Sequence, residues 1–139
     1  MKCKLFLFLL LIGLLGCSKD GELTKDEELE KPINYQEILG KWTWIESSGG
    51  YAGTIVTPKI LDVNFYLSIK EKEIEKYKDG KLLYSHPYIV DYDLSICKEK
   101  IPLIIYEDED VIIPYKVEGD TLILYGKCAD FTVKYVRRN

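Results

Sequence analysis

Ile38-Leu39-Gly40-Lys41-Trp42-Thr43-Trp44-Ile45 decides how the rest of the chain is read. A short helical lead-in turns at Gly40 into a first β-strand, expected from about Lys41 to Ser47. Trp42 and Trp44 stand two residues apart and so share one face of that strand. They are the only 2 tryptophans in the chain, and side chains of that size require a core on that face. Just upstream, Asn34-Tyr35-Gln36-Glu37 has the form of a helix cap with an acidic residue three positions on, which would open the lead-in.

Downstream, Ser47-Ser48-Gly49-Gly50-Tyr51-Ala52-Gly53 and Thr57-Pro58 read as a flexible, glycine-rich connection. No Gly-Lys-Ser/Thr ending follows it and no helix is expected after it, which removes a phosphate-binding reading. From Leu61 to Ile69 apolar side chains alternate with Asp62, Asn64, Tyr66, Ser68 and Lys70, as in a half-buried strand. Glu73 to Lys78 forms a second, less regular strand. Asp79-Gly80 is a strong hairpin signal that leads to Lys81-Leu82-Leu83-Tyr84. Ser85-His86-Pro87 is expected to break that strand, because proline withholds a ladder donor. Tyr88, Val90, Tyr92, Leu94 and Ile96 then line one face of the next strand. Ile101 to Tyr106, Val111 to Val117, Thr121 to Tyr125 and Phe131 to Tyr135 complete the set, joined by turns at Glu107–Asp110 and Glu118-Gly119-Asp120. Eight or nine strands with short turns and no long helix define an all-β fold, either an up-and-down antiparallel β-barrel or a sandwich. A closed barrel of about eight strands would also remove the exposed edges that a meander leaves open.

The N-terminal part has a different character. Lys2 and Lys4 precede an apolar run, Leu5 to Leu15, interrupted by Gly13. It is shorter than the ~20 residues of a spanning helix and has the basic and apolar regions of a secretory signal. The run ends in Leu14-Leu15-Gly16-Cys17, which resembles the bacterial lipobox. That resemblance implies a signal peptide over residues 1–16 and a first mature residue, Cys17, bearing acyl chains such as palmitate. More than one chain gives a stable anchor. The expected site is the outer membrane, on its periplasmic or its outer face. A plain signal peptide cut near Gly16, or an uncleaved anchor, are the alternatives. Residues 17–33 carry Lys25, Asp26, Glu27, Glu28, Glu30 and Lys31 and read as a charged tether with little to bury. Lys19-Asp20 and Glu22 resemble the surface-export signal of Bacteroidetes lipoproteins. The folded domain is then expected over 34–139.

Of the 4 cysteines, Cys3 would be removed and Cys17 acylated, which leaves Cys97 and Cys128. An even remainder in a chain bound for an oxidising space reads as one disulfide. Two free buried thiols or a metal pair are the alternatives. Without a Cys-x-x-Cys, and with His86 distant in sequence, zinc has little support. The formal net charge of -4 argues against a nucleic-acid partner.

Gly40-Lys41-Trp42 on a first strand behind a helical turn resembles the Gly-x-Trp signature of lipocalins. With Ser48–Gly53, Thr57-Pro58, Tyr77–Lys81, Cys128-Ala129-Asp130, Tyr135 and Arg137, the chain from Ile38 onward resembles the lipocalin-like lipoproteins of Bacteroidetes. The resemblance implies an eight-stranded barrel with one open end. It also implies a basic residue near the last strand, Arg137, lying over Trp42. It names no ligand.

No catalytic set stands out, and neither a cofactor nor a metal is expected. His86 is the only histidine and no Gly-x-Ser-x-Gly is present. Asp91 and Asp93 read as the wet face of a barrel wall, and Glu107–Asp110 as an exposed turn rather than a calcium loop. The chain has 11 tyrosines. Tyr66, Tyr88, Tyr92 and Tyr115, with Tyr106 and Tyr135, could line the mouth of a cavity or serve as ordinary amphipathic strand residues. The expected function is binding of a small apolar or amphipathic ligand by a monomer, not an enzymatic reaction. The alternative is a filled barrel that presents its loops to another protein at the envelope.

Overall fold

In the computed structural model, residues 34–93, 100–126 and 130–139 are described. Cys17, Cys97 and Cys128 fall outside them, and with them the acylation and the disulfide expected from the sequence. The described elements are a 3-10 turn (Tyr35–Ile38), β1 (Gly40–Gly49), β2 (Thr54–Val56), α1 (Pro58–Leu61), β3 (Phe65–Ile69), β4 (Glu73–Lys78), β5 (Lys81–Asp93), β6 (Ile101–Tyr106), β7 (Ile112–Glu118), β8 (Thr121–Tyr125) and β9 (Phe131–Arg137). All belong to the unit Pro32–Asn139.

β3 to β9 follow one another as antiparallel neighbours, and β1 pairs with β3 on one side and β9 on the other. The result is a closed eight-stranded barrel, which leaves none of its eight staves with an unpaired edge along its whole length. β2 is an additional strand. It takes over from β3 beside the far half of β1, at Ser47, Ser48 and Gly49. Between Trp44 and Glu46 the register of β1 against β9 shifts by a bulge. A bulge bends its strand, and here it falls between the part of β1 held by β3 and the part held by β2.

Period-two alternation explains the core. Trp42 and Trp44 point inward, with Leu67 and Ile69 from β3, Ile74 from β4, Leu122 from β8 and Tyr135 from β9. The 3-10 turn inserts Ile38, fully buried, beneath the Gly40 end of the barrel. The Trp42 Nε1–H donates to the Ile38 carbonyl at 2.7 Å, so the indole satisfies its one donor while its ring stays dry.

Several local expectations are corrected. The lead-in is a single 3-10 turn, and Asn34 makes no side-chain capping bond. The first strand is longer than Lys41 to Ser47 and takes in Ser48 and Gly49. Leu61 does not begin a strand. Pro58 starts a helical turn after the glycine-rich loop, where no helix was expected, and Asp62 ends it in the left-handed region (φ 53). Strand geometry resumes at Phe65. Nor does Pro87 break β5. It is the last partner of β4, opposite Glu73, and Tyr88 is the first partner of β6, opposite Tyr106. The missing N–H falls where the strand changes neighbours, so no regular run of ladder bonds is interrupted there.

Candidate functional site

The chamber of the barrel runs from Ile69 and Ile74, at the Gly40 end of β3 and β4, to Ser47, Phe131 and Val133 toward the Gly49 end of β1 and β9. β4 reads Glu73-Ile74-Glu75-Lys76-Tyr77-Lys78, and its alternation puts Lys76 on the same face as buried Ile74. Lys76 is the Cα partner of Leu67 on one side and Tyr84 on the other. Phe131 and Val133 enter from β9, and Trp44 and Ser47 from β1.

These residues surround two adjoining cavities. The inner one, of about 190 Å³, is lined by Leu67, Ile104, Tyr106, Ile113 and Leu124 among others. The outer one, of about 330 Å³, lies against Trp44, Val56, Leu61 and Phe65. Lys76, Phe131, Val133 and Tyr135 line both, so the lysine stands where the two lobes meet. Trp44 and Phe65 meet edge to face at 5.6 Å, and the Trp44 indole donates to the Ser47 hydroxyl at 2.9 Å.

Lys76 is the single charged side chain among the described residues lining these two lobes. Its ammonium lies 5.1 Å from the Phe65 ring centroid and 5.8 Å from that of Tyr84. Lys78, on the same face of β4, is exposed, with its ammonium 6.0 Å from the Phe65 ring centroid, and lines neither lobe. Lys70 pairs with Glu73 and Glu75, and Lys134 with Glu46. Lys76 makes no such pair with a described residue. Burial therefore holds its pKa below the ordinary lysine value. Burial also raises the phenol pKa of Tyr84, Tyr106 and Tyr135, so these hydroxyls stay neutral around the chamber.

The tyrosines singled out from the sequence are dispersed. Tyr66 lies on the outer face, stacked on Tyr77 at 4.5 Å and 5°, and lines neither lobe. Its alternation partners Leu67 and Ile69 take the inner face instead. Tyr88 is buried and donates its hydroxyl to the Lys70 carbonyl at 2.7 Å. It borders a separate groove of about 410 Å³ with Tyr35, Glu71 and Ile89. Tyr115 is buried in the core, and its hydroxyl has no hydrogen-bond partner among the described residues. Tyr92 is half-buried, with the Lys100 ammonium 5.5 Å from its ring. Tyr106 and Tyr135 do line the chamber, joined by Tyr84 and Tyr125. Sequence reasoning missed Lys76 because Glu73–Lys78 carries polar residues on both faces. The signal that could have found it is its distance of two from Ile74.

His86 packs between the rings of Tyr84 and Tyr106, at 4.8 and 4.6 Å. Its Nδ1 lies 3.0 Å from the Asp108 carboxylate. It ties the turn after β6 to β5. Among the described residues, no group of three His, Cys, Asp or Glu side chains could hold a metal ion.

At the Gly40 end the barrel is closed by Gly40, Trp42 and Arg137. The Arg137 guanidinium covers the Trp42 ring at 4.1 Å and donates to the carbonyls of Leu39 at 2.8 Å and Glu37 at 2.7 Å.

Fold and chamber together define a class, the closed antiparallel β-barrel with a small, mostly apolar interior space. No protein-family model matches the sequence, and comparison with curated proteins and with solved structures found no match.

Proposed function

We propose that this chain is a lipid-anchored protein of the cell envelope whose barrel binds a small apolar or amphipathic molecule, as a lipocalin-like lipoprotein would. The observation that carries the ligand reading is the two-lobed chamber. An eight-stranded barrel can be just filled by its side chains or can hold one small ligand, and here lobes of about 190 and 330 Å³ stay open. The larger lobe matches the lower end of the ~300–1,000 Å³ range of small-molecule sites. The anchor reading rests on the lipobox-like Leu14-Leu15-Gly16-Cys17 behind a basic and apolar leader.

The alternative is a module that meets another envelope protein. It draws on Tyr51, Ile55, Ile60 and Leu61, apolar side chains exposed by half or more in and after the glycine-rich loop.

Native mass spectrometry of the chain extracted from its own membranes tests the ligand reading. The proposal expects a retained amphiphile that leaves on collisional activation. A ligand-free chain, intact and folded, would favour the interaction module. The intact mass tests the anchor, with loss of residues 1–16 and acyl chains on Cys17 expected, and neither in a Cys17→Ser variant.

A further inference from the structure

Among the described residues, the chamber has one charged side chain, Lys76, and no acid to balance it. Lys76 reaches the waist between the lobes, with Phe65 and Tyr84 on the faces it touches. Ring faces attract a cation by about 0.5–2 kcal/mol but do not neutralise it. A lysine at a surface sends its ammonium to water, and one in a core is matched by an acid. Lys76 does neither completely. Alternation keeps it inward, and the acids of its own strand, Glu73 and Glu75, face outward and are taken by Lys70.

We infer that the chamber selects amphiphiles with one negatively charged headgroup, a carboxylate above all, and that Lys76 is the residue that receives it. This rests on the ligand-binding reading of the chamber and gives it a substrate class. The apolar tail would lie along Leu67, Ile104, Ile113 and Leu124 of the inner lobe or along Trp44, Val56, Leu61 and Phe65 of the outer one. A carboxylate at the waist forms a charge-assisted hydrogen bond in a partly dry space, where such bonds are at their strongest. A neutral headgroup leaves the ammonium unmatched, and a cationic one is repelled.

Competition between decanoate and decanol decides it, because the two share a tail and differ in the headgroup. The full chain in detergent micelles is offered equal amounts of both, and native mass spectrometry resolves the two adducts by mass. The wild-type chain is expected to carry the acid over the alcohol by about tenfold or more, which corresponds to ~1.4 kcal/mol. Lys76→Met should bring the ratio close to one while the alcohol still enters. Lys76→Arg, which keeps the charge, should keep the preference for the acid. Equal uptake of acid and alcohol by the wild type would overturn the inference and leave the ligand chamber standing. So would a full preference for the acid in Lys76→Met. Uptake of neither by the wild type would overturn both the inference and the ligand-binding reading.

Discussion

Arg137 and Trp42 are Cα partners across the seam between β9 and β1, and the guanidinium lies 4.1 Å from the indole centroid. Closure of the barrel therefore coincides with a contact between its first and last strands. The same guanidinium donates to the Leu39 and Glu37 carbonyls, so it also holds the turn that carries Ile38. One side chain thus joins the seam, the plug and the first tryptophan.

Arg137→Ala should destabilise the fold by about 2–3 kcal/mol, from two charge-assisted hydrogen bonds and a cation–π contact. Arg137→Lys should recover only part of this, since an ammonium cannot reproduce the planar fork. By contrast, the Arg137–Asp120 pair spans 3.9 Å to a carboxylate that is 81% exposed, and Asp120→Ala should change stability by less than about 0.5 kcal/mol. Urea midpoints of the three variants check the order.

Gly40 adopts φ +122, and a Cβ there would lie 3.1 Å from Arg137 Nη1. Gly40→Ala should therefore cost about 1–3 kcal/mol, from backbone strain and from displacement of the guanidinium. In an Arg137→Ala background the second part is absent. A double-mutant cycle should then give less than the sum of the two single losses, and strict additivity would separate the glycine from the arginine.

Much of the fold was legible because β3 carries clean period-two alternation, Ile113, Tyr115 and Val117 of β7 and Phe131, Val133 and Tyr135 of β9 stand two apart, and Asp79-Gly80 marks its hairpin with left-handed residues at both positions, φ 49 and 81. The limits of the elements were less so. Leu61 and Val63 continue the alternation of β3 in sequence, yet Pro58 starts a helical turn and Asp62 ends it, a local preference that outweighs the pattern. Pro87 looked like a breaker because a sequence does not show that β5 exchanges one neighbour for another at that point. The chamber was the least legible part. In β4 the glutamates take one face and the lysines the other; distance from Ile74 marks the inner face, but Lys76 and Lys78 share it, and the register with Leu67 and Tyr84 shows that Lys76 is the enclosed one.

Burial lifts the phenol pKa of Tyr88 from 10.0 to about 12 and raises those of Tyr106, Tyr115 and Tyr135 further. In the unfolded chain these groups lose their protons from about pH 10, whereas in the fold they keep them. Stability is therefore complete below pH 10 and falls as the pH rises, with each buried phenol adding up to ~1.4 kcal/mol per pH unit. Urea midpoints should be lower at about pH 11 than at about pH 9, and part of the phenolate absorbance should appear only as the fold gives way. Ionisation of all the tyrosines in one step near pH 10, with the fold intact, would contradict this.

Val133 lines both lobes. Val133→Phe should fill the waist next to Lys76 and lower decanoate uptake by about tenfold or more. Its stability should stay within about 1 kcal/mol of wild type, because the added ring enters open space rather than a packed core. Native mass spectrometry gives the uptake and thermal unfolding the stability.

Crystals of the chain grown with a decanoate brominated at the end of its tail test the central claim most directly, because anomalous scattering locates the bromine independently of any interpretation of weak density. The account predicts a bromine peak inside the barrel, in one of the two lobes, with the carboxylate within hydrogen-bonding distance of Lys76 Nζ. Bromine found only on the outer surface, or a chamber closed over by its own side chains with no ligand in it, would contradict the account.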